Sequence, residues 1–206
     1  MQIFLLDATA VAGEQLHALA RTLPPSRRAA AEQCKSEAAR AQCVLGFCLV
    51  RYAVRQIAPT ASADVWMYGP NGKPHLPSGL PCFNLSHTPY GIAVAVDDEL
   101  EVGVDLEQIR PHPGLEKRVL TEAEQKDAAR TCDPDSELIR LWSAKEAAVK
   151  RTGEGIGSLE KLRHTLTVGV ESIKVQPGGI PHWLSVSPAD TPPAITWITP
   201  AQLLDT

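Results

Sequence analysis

The sequence predicts an α+β fold, with mostly antiparallel strands and helices packed against them. Three observations lead there. Strand-like segments are short and are separated by dense Pro, Gly and Asn turns. Other stretches carry apolar residues at helical spacing instead. The order strand, helix, strands appears once before residue 97 and again after it, which suggests two similar halves, although no repeat of fixed period is present.

Residues 3–6 read as a short buried strand. Pro24-Pro25-Ser26 supplies a turn and a candidate N-cap for helical sequence running to Ile57. Val44, Leu45, Cys48, Leu49 and Tyr52 recur there at helical spacing and mark a core face, with Arg51 and Arg55 four apart beside it. Strands are predicted at 64–68, 82–85 and 91–96, the first two separated by Gly69-Pro70-Asn71-Gly72 and Pro77-Ser78-Gly79. The acidic turn Asp97-Asp98-Glu99 leads into 102–107, which alternates with a period of two. Residues 121–130 and 136–151 read as helices, and from Thr165 onward the pattern is short strands between Pro and Gly. Seventeen prolines and fourteen glycines argue against long uninterrupted helices.

The 206 residues suit one large domain or two small ones, and 44% apolar with 21% charged residues is ordinary for a soluble globular chain. A net charge of −4 gives no general reason to expect nucleic acid as a partner. That charge is uneven. Residues 21–55 hold seven basic side chains (Arg21, Arg27, Arg28, Lys35, Arg40, Arg51, Arg55) against Glu32 and Glu37, so this segment is +5 and the rest −9. Such a segment points to a local anion site or to a solvated helix face. The N-terminus lacks the pattern of a secretion signal, and no window has the roughly 18 consecutive apolar residues of a membrane span. Five cysteines without a C-x-x-C fit reduced thiols, so a cytoplasmic protein is expected. The sequon at Asn84-Leu85-Ser86 is discounted on the same ground.

Three constellations carry chemistry. In 102–107 alternation places Val102, Val104 and Leu106 on one face and Gly103, Asp105 and Glu107 on the other. The two carboxylates then stand roughly 7 Å apart at Cβ, and they repel unless solvent or a cation compensates them. Hard oxygen ligands favour Mg²⁺ or Mn²⁺; a solvated edge strand is the plain alternative. On a helix, Leu138, Leu141, Trp142, Lys145 and Val149 form one stripe, with Glu146 and Lys150 on its flank. Glu146 and Lys150 could be a surface ion pair. Lys145 argues for more, because a lysine inside an apolar stripe must snorkel or meet an anion. The third constellation is Gly72-Lys73-Pro74 with Phe83-Asn84-Leu85-Ser86-His87, in which Lys73 can meet a phosphate and Ser86 and His87 end a strand beside a loop. A lone histidine in such a place is also common as a structural residue.

In this order the motifs resemble the two-lobed group of 4′-phosphopantetheinyl transferases that activate nonribosomal peptide and polyketide synthases. The family pattern Gly-Lys-Pro, Phe-Asn-x-Ser-His, Gly-x-Asp-x-Glu and Trp-x-x-Lys-Glu-x-x-x-Lys stands here at Gly72–Pro74, Phe83–His87, Gly103–Glu107 and Trp142–Lys150. Leu120-Thr121-Glu122-Ala123-Glu124 is similar to the family's Phe-Ser-x-x-Glu, with Leu for Phe. The resemblance implies two α+β lobes, 1–97 and 98–206, forming a pseudo-dimer with the active site in the cleft between them. It implies an enzyme that moves the phosphopantetheine arm of coenzyme A to a carrier-protein serine and releases 3′,5′-ADP. It also implies Mg²⁺ on Asp105, Glu107 and Glu146, with Lys150 and His87 near the phosphates. Gly72, Lys73, Pro74 and Ser86 would hold the adenosine end, and Arg27 and Arg28 would belong to the nucleotide site. Glu146 would take the serine proton, Lys150 would neutralise the phosphates, and Asp105 would complete the catalytic set. The partners implied are coenzyme A and an apo acyl or peptidyl carrier protein, met by Arg110, Lys117 and Arg118, with the chain a monomer and no membrane or nucleic acid involved. The sequence departs from the pattern at Ala29, Ala30 and Ala31, where a further cation is common, and at Cys43, where hydroxyl or basic residues are common. A metal-dependent coenzyme A hydrolase using the same groups, and a non-catalytic coenzyme A-binding protein, are the alternative readings.

Overall fold

In the computed structural model, which describes residues 1–155 and 159–204, the apolar alternation of the first strand serves two cores at once. Strand β1 (Gln2–Asp7) turns Phe4 and Leu6 to one side and Ile3 and Leu5 to the other. After α1 (Gly13–Thr22), α2 (Pro25–Glu32) and α3 (Glu37–Ile57), a two-stranded ribbon of β2 (Met67–Tyr68) and β3 (Pro74–His75) precedes β4 (Cys82–His87) and β5 (Gly91–Asp97). Strand β6 (Gly103–Gln108) is followed by α4 (Glu116–Val119), α5 (Glu122–Ala128), α6 (Pro134–Thr152) and α7 (Leu159–Arg163). Strands β7 (Glu171–Val175), β8 (His182–Ser187) and β9 (Ile195–Ile198) and helix α8 (Pro200–Leu204) complete the described chain.

The expected α+β class with mostly antiparallel sheets is what the chain forms. One sheet runs β4-β5-β1-β9 and the other β6-β8-β7, and every pairing is antiparallel except β1 with β9. Ile3, Leu5, Ala93 and Ala95 of the first sheet pack against Val102, Val104, Leu106, Leu184 and Val186 of the second. Helix α3 covers the outer face of the first sheet with Val44, Phe47, Cys48 and Val54. Helix α6 lies on the outer face of the second, where Trp183 Nε1 donates to the Ser136 carbonyl at 2.8 Å. The layers are therefore helix, sheet, sheet, helix. Strand β9 pairs with β1, so part of the chain beyond residue 98 is built into the first sheet.

Several local expectations change. The helix expected from Pro24 to Ile57 is two helices, because Ser36 adopts extended backbone and caps α3 by accepting from Ala39 N at 3.1 Å. Helix α1 was not anticipated; it buries Leu19 and packs Leu16 and Ala20 on the core. The strand expected at 64–68 shrinks to β2, because Trp66 turns inward between Phe47 and Phe83. Long helices do form, with 21 residues in α3 and 19 in α6. The prolines do not interrupt them: Pro134 sits at the start of α6, where its missing N–H costs nothing. Asn84, 4% exposed and bonded to Val104 N at 2.9 Å, is enclosed between β4 and β6. Among the described residues no helix is long and apolar enough to cross a membrane.

Candidate active site

Burial of Val102, Val104 and Leu106 between the sheets turns Asp105 and Glu107 to the opposite face, under α6. The helix comes this close because residue 103 is glycine. A Cβ there would lie 2.0 Å from the Ala147 carbonyl oxygen and 2.6 Å from Arg151 N. Both ends of α6 are fixed: Asp133 accepts from Ser136 N at 3.0 Å, and Gly153 leaves the helix at φ 68°. Glu146 and Lys150, one turn apart, then arrive over the two strand carboxylates.

Carboxylate oxygens of Asp105, Glu107 and Glu146 lie within 4.8 Å of one another. Lys150 Nζ donates to Asp105 Oδ1 at 2.5 Å and to Ser86 Oγ at 3.2 Å, and stands 3.7 Å from Glu146 Oε2. Ser86 Oγ donates to the same Asp105 oxygen at 3.1 Å. Trp142 Nε1 donates to Glu146 Oε1 at 2.8 Å and so aims the other oxygen inward. Asp105 is 1% exposed, and its Oδ2 is buried with no hydrogen-bond partner, which is costly for a carboxylate.

The electrostatics follow from three acids sharing one ammonium. Burial, then the charges of Asp105 and Glu146, push Glu107 up to about 8. Burial and Asp105 likewise raise Glu146, against the opposing pull of Lys150 and Trp142. Burial works against the charge of Lys150, but Asp105, Glu146 and Glu107 together hold its pKa above the ordinary value. The cluster is short of positive charge, its donors are hard oxygens and one of them is orphaned, so these residues fit a small divalent cation.

The other expected residues fall into two cavities that share Leu85. Arg27 and His87 line one of about 200 Å³ with Cys43, Phe47 and Trp66. Partial enclosure and the charge of Lys150 lower the pKa of His87. Gly72, Lys73 and Pro74 line the second, of about 250 Å³, with Asn84 and Lys150. The Lys73 ammonium is itself engaged, donating to Glu101 Oε2 at 2.5 Å, Arg151 O at 2.7 Å and Val102 O at 3.3 Å. It ties the Gly-Lys-Pro turn to the start of β6 and the end of α6. Arg28 joins neither of these; it lines a third cavity, of about 590 Å³, with Arg21 and Arg40, and its guanidinium donates to the carbonyls of Arg21 and Leu23. Of the two outcomes open to Lys145, snorkelling or an anion, the structure shows the second: it is 0% exposed and donates to Glu124 Oε2 at 2.8 Å, Val119 O at 3.0 Å and Arg163 O at 2.6 Å.

Comparison with known proteins bears on the same segment. The family model described as the 4′-phosphopantetheinyl transferase superfamily matches residues 101–182, which contain all three carboxylates and Lys150. A 4′-phosphopantetheinyl transferase of Escherichia coli, AcpT, is 35% identical over 143 residues, covering 65% of this chain and 67% of that protein. This chain belongs to the 4′-phosphopantetheinyl transferase superfamily. AcpT of Salmonella typhimurium is 36% identical over 106 residues (48% of this chain, 55% of that protein). The 4′-phosphopantetheinyl transferase HetI of a Nostoc species is 38% identical over 110 residues (48% and 46%). In these two the match spans about half the length of the relative.

Three motif residues contribute to this superfamily site in roles that the sequence does not assign. Gly103 admits the helix, Trp142 orients Glu146, and Asn84 joins the two sheets at the edge where Ser86 meets Asp105. Only Asn84 left a usable signal, as an amide flanked by Phe83 and Leu85 in an otherwise apolar strand.

Proposed function

We propose that the chain transfers the 4′-phosphopantetheine group of coenzyme A to a serine of an acyl or peptidyl carrier protein and releases 3′,5′-ADP. The observation that carries this reading is the meeting of three carboxylates and one ammonium within a single cluster, in a chain of this superfamily. Mg²⁺, or Mn²⁺ in its place, would be held by Asp105, Glu107 and Glu146 and would neutralise charge on the diphosphate. Lys150 supplies a fixed cation to the same phosphates, kept in place by Ser86 and Asp105. Glu146, whose other oxygen is held by Trp142, takes the proton of the attacking serine. The serine oxygen forms a bond to the β-phosphorus while the bond from that phosphorus to the bridging oxygen breaks, and the bridging oxygen departs with 3′,5′-ADP. Most of the rate comes from positioning and charge neutralisation.

Residues 1–97 and 98–206 serve in this reading as the two lobes around coenzyme A, with β9 of the second crossing over to pair with β1 of the first. The cavity of Arg27 and His87 takes nucleotide phosphate, and that of Gly72, Lys73 and Pro74 borders the adenosine. Arg110, Lys117 and Arg118 are exposed on the segment after β6, where the His112 ring stands 5.7 Å from that of Trp142, and they face an acidic carrier. The chain acts as a cytoplasmic monomer.

Mass spectrometry of an apo carrier incubated with the chain, coenzyme A and Mg²⁺ tests the reading. The expected result is a gain of one phosphopantetheine group on the carrier, abolished by EDTA. Consumption of coenzyme A in the absence of carrier would replace transfer with hydrolysis.

A further inference from the structure

Arg27 has no carboxylate within ion-pair distance among the described residues, and its buried Nε has no hydrogen-bond partner. Its guanidinium carbon lies 4.1 Å from the centre of the Trp66 ring, close enough for a cation–π contact. Its Nη1 donates to Tyr68 Oη at 2.7 Å. The shelf is rigid. The Trp66 ring stands 5.7 Å from Phe47 and 4.9 Å from Phe83, and its Nε1 donates to Ala63 O at 3.0 Å. Tyr68 is exposed; because its oxygen accepts from Arg27, its own O–H remains available to a ligand. A half-buried guanidinium that lines a cavity, meets no carboxylate and keeps one buried N–H without an acceptor suits an anion. No further cation of its helix joins it there: Ala29, Ala30 and Ala31 follow, and the adjacent Arg28 turns its guanidinium to the carbonyls of Arg21 and Leu23. Its orientation therefore matters more than it would within a basic cluster.

We infer that Trp66 and Tyr68 are positioning residues that hold the Arg27 fork for a phosphate monoester at the nucleotide end of the substrate, with the Tyr68 hydroxyl as a second donor. The inference rests on the proposed reading of the cavity as the nucleotide site. In coenzyme A the group of this chemistry is the 3′-phosphate, so the brace sets discrimination between coenzyme A and 3′-dephospho-coenzyme A.

Calorimetric binding of 3′,5′-ADP and of 5′-AMP to the full chain tests this without requiring turnover. Tyr68→Phe removes one exposed oxygen. It is expected to weaken 3′,5′-ADP about tenfold, or about 1.4 kcal/mol, and to leave 5′-AMP unchanged. Trp66→Leu is expected to do at least as much, and Trp66→Phe to restore most of the loss. In the transfer assay Tyr68→Phe raises KM for coenzyme A and spares both kcat and the KM for 3′-dephospho-coenzyme A. Equal weakening of both nucleotides, or no change in Tyr68→Phe, overturns the brace. Wild-type chain that prefers 3′,5′-ADP through Tyr68 but transfers nothing would sink the reaction and keep the brace. Transfer without any preference for the 3′-phosphate would do the reverse.

Discussion

Replacing Lys145 with methionine separates architecture from chemistry in the Trp142–Lys150 motif. Methionine keeps most of the stem and removes the ammonium, which is fully enclosed and bound to Glu124, Val119 and Arg163. The substitution strands two carbonyls and a carboxylate that is already committed to Thr121 through its capping box. Removing one partner of a fully buried ion pair costs about 3–5 kcal/mol, and the partial exposure of Glu124, 29%, makes that the upper bound here, still a large share of the roughly 5–15 kcal/mol that holds a domain folded. For a chain of this size each kcal/mol lowers Tm by roughly 2–4 °C, so the loss is at most about 20 °C. The cost also depends on pH. Burial opposes the charge of Glu124, but the bonds from Lys145 and Thr121 more than offset it and lower its pKa from the ordinary 4.5. Its stabilisation is therefore full above pH 4.5 and is lost as pH falls through the lowered value. Thermal unfolding between pH 3 and 7 should show that acid branch in the wild type and a flatter one in Lys145→Met. Transfer measured at a temperature where the variant is folded should keep kcat within a few-fold of the wild type. A variant that melts with the wild type yet loses transfer would place Lys145 in the reaction and refute the structural assignment.

Four further outcomes are expected. Asp105→Asn and Glu146→Gln should lose transfer by about a hundredfold or more while circular dichroism reports an intact fold. Glu107→Gln should raise Tm in EDTA, because it removes one of three crowded carboxylates, and should abolish the further rise that Mg²⁺ gives the wild type. Gly103→Ala should lower Tm sharply and cut kcat, since its Cβ must push α6 away from β6, and chemical denaturation with parallel transfer assays would register both. Charge reversal at Lys117 and Arg118 together should raise carrier KM several-fold and spare the KM for coenzyme A; an unchanged carrier KM would remove that surface from docking.

The sequence determined a good deal by itself. Period-two alternation over 102–107 puts both carboxylates on one face, and helical spacing puts Glu146 and Lys150 on one flank, because these periodicities are properties of the local backbone. The α+β class and most strand positions were legible for the same reason. The apolar stripe leaves Lys145 to snorkel or to meet an anion, and nothing local says which, or that Glu124, 21 residues away, is the partner. Helix α1 and the break before Ser36 depend on packing that a linear pattern does not carry. Tertiary structure alone decided that Arg27 and Arg28 line different cavities, Arg28 with its guanidinium on backbone carbonyls, and that Lys73 is tied down by Glu101. It also decided the return of β9 to β1. The physical reason is common to these cases. Direction along a helix or strand is fixed within a few residues, whereas the partner of a long charged side chain, or of an edge strand, is chosen by whichever distant segment the folded layers bring beside it.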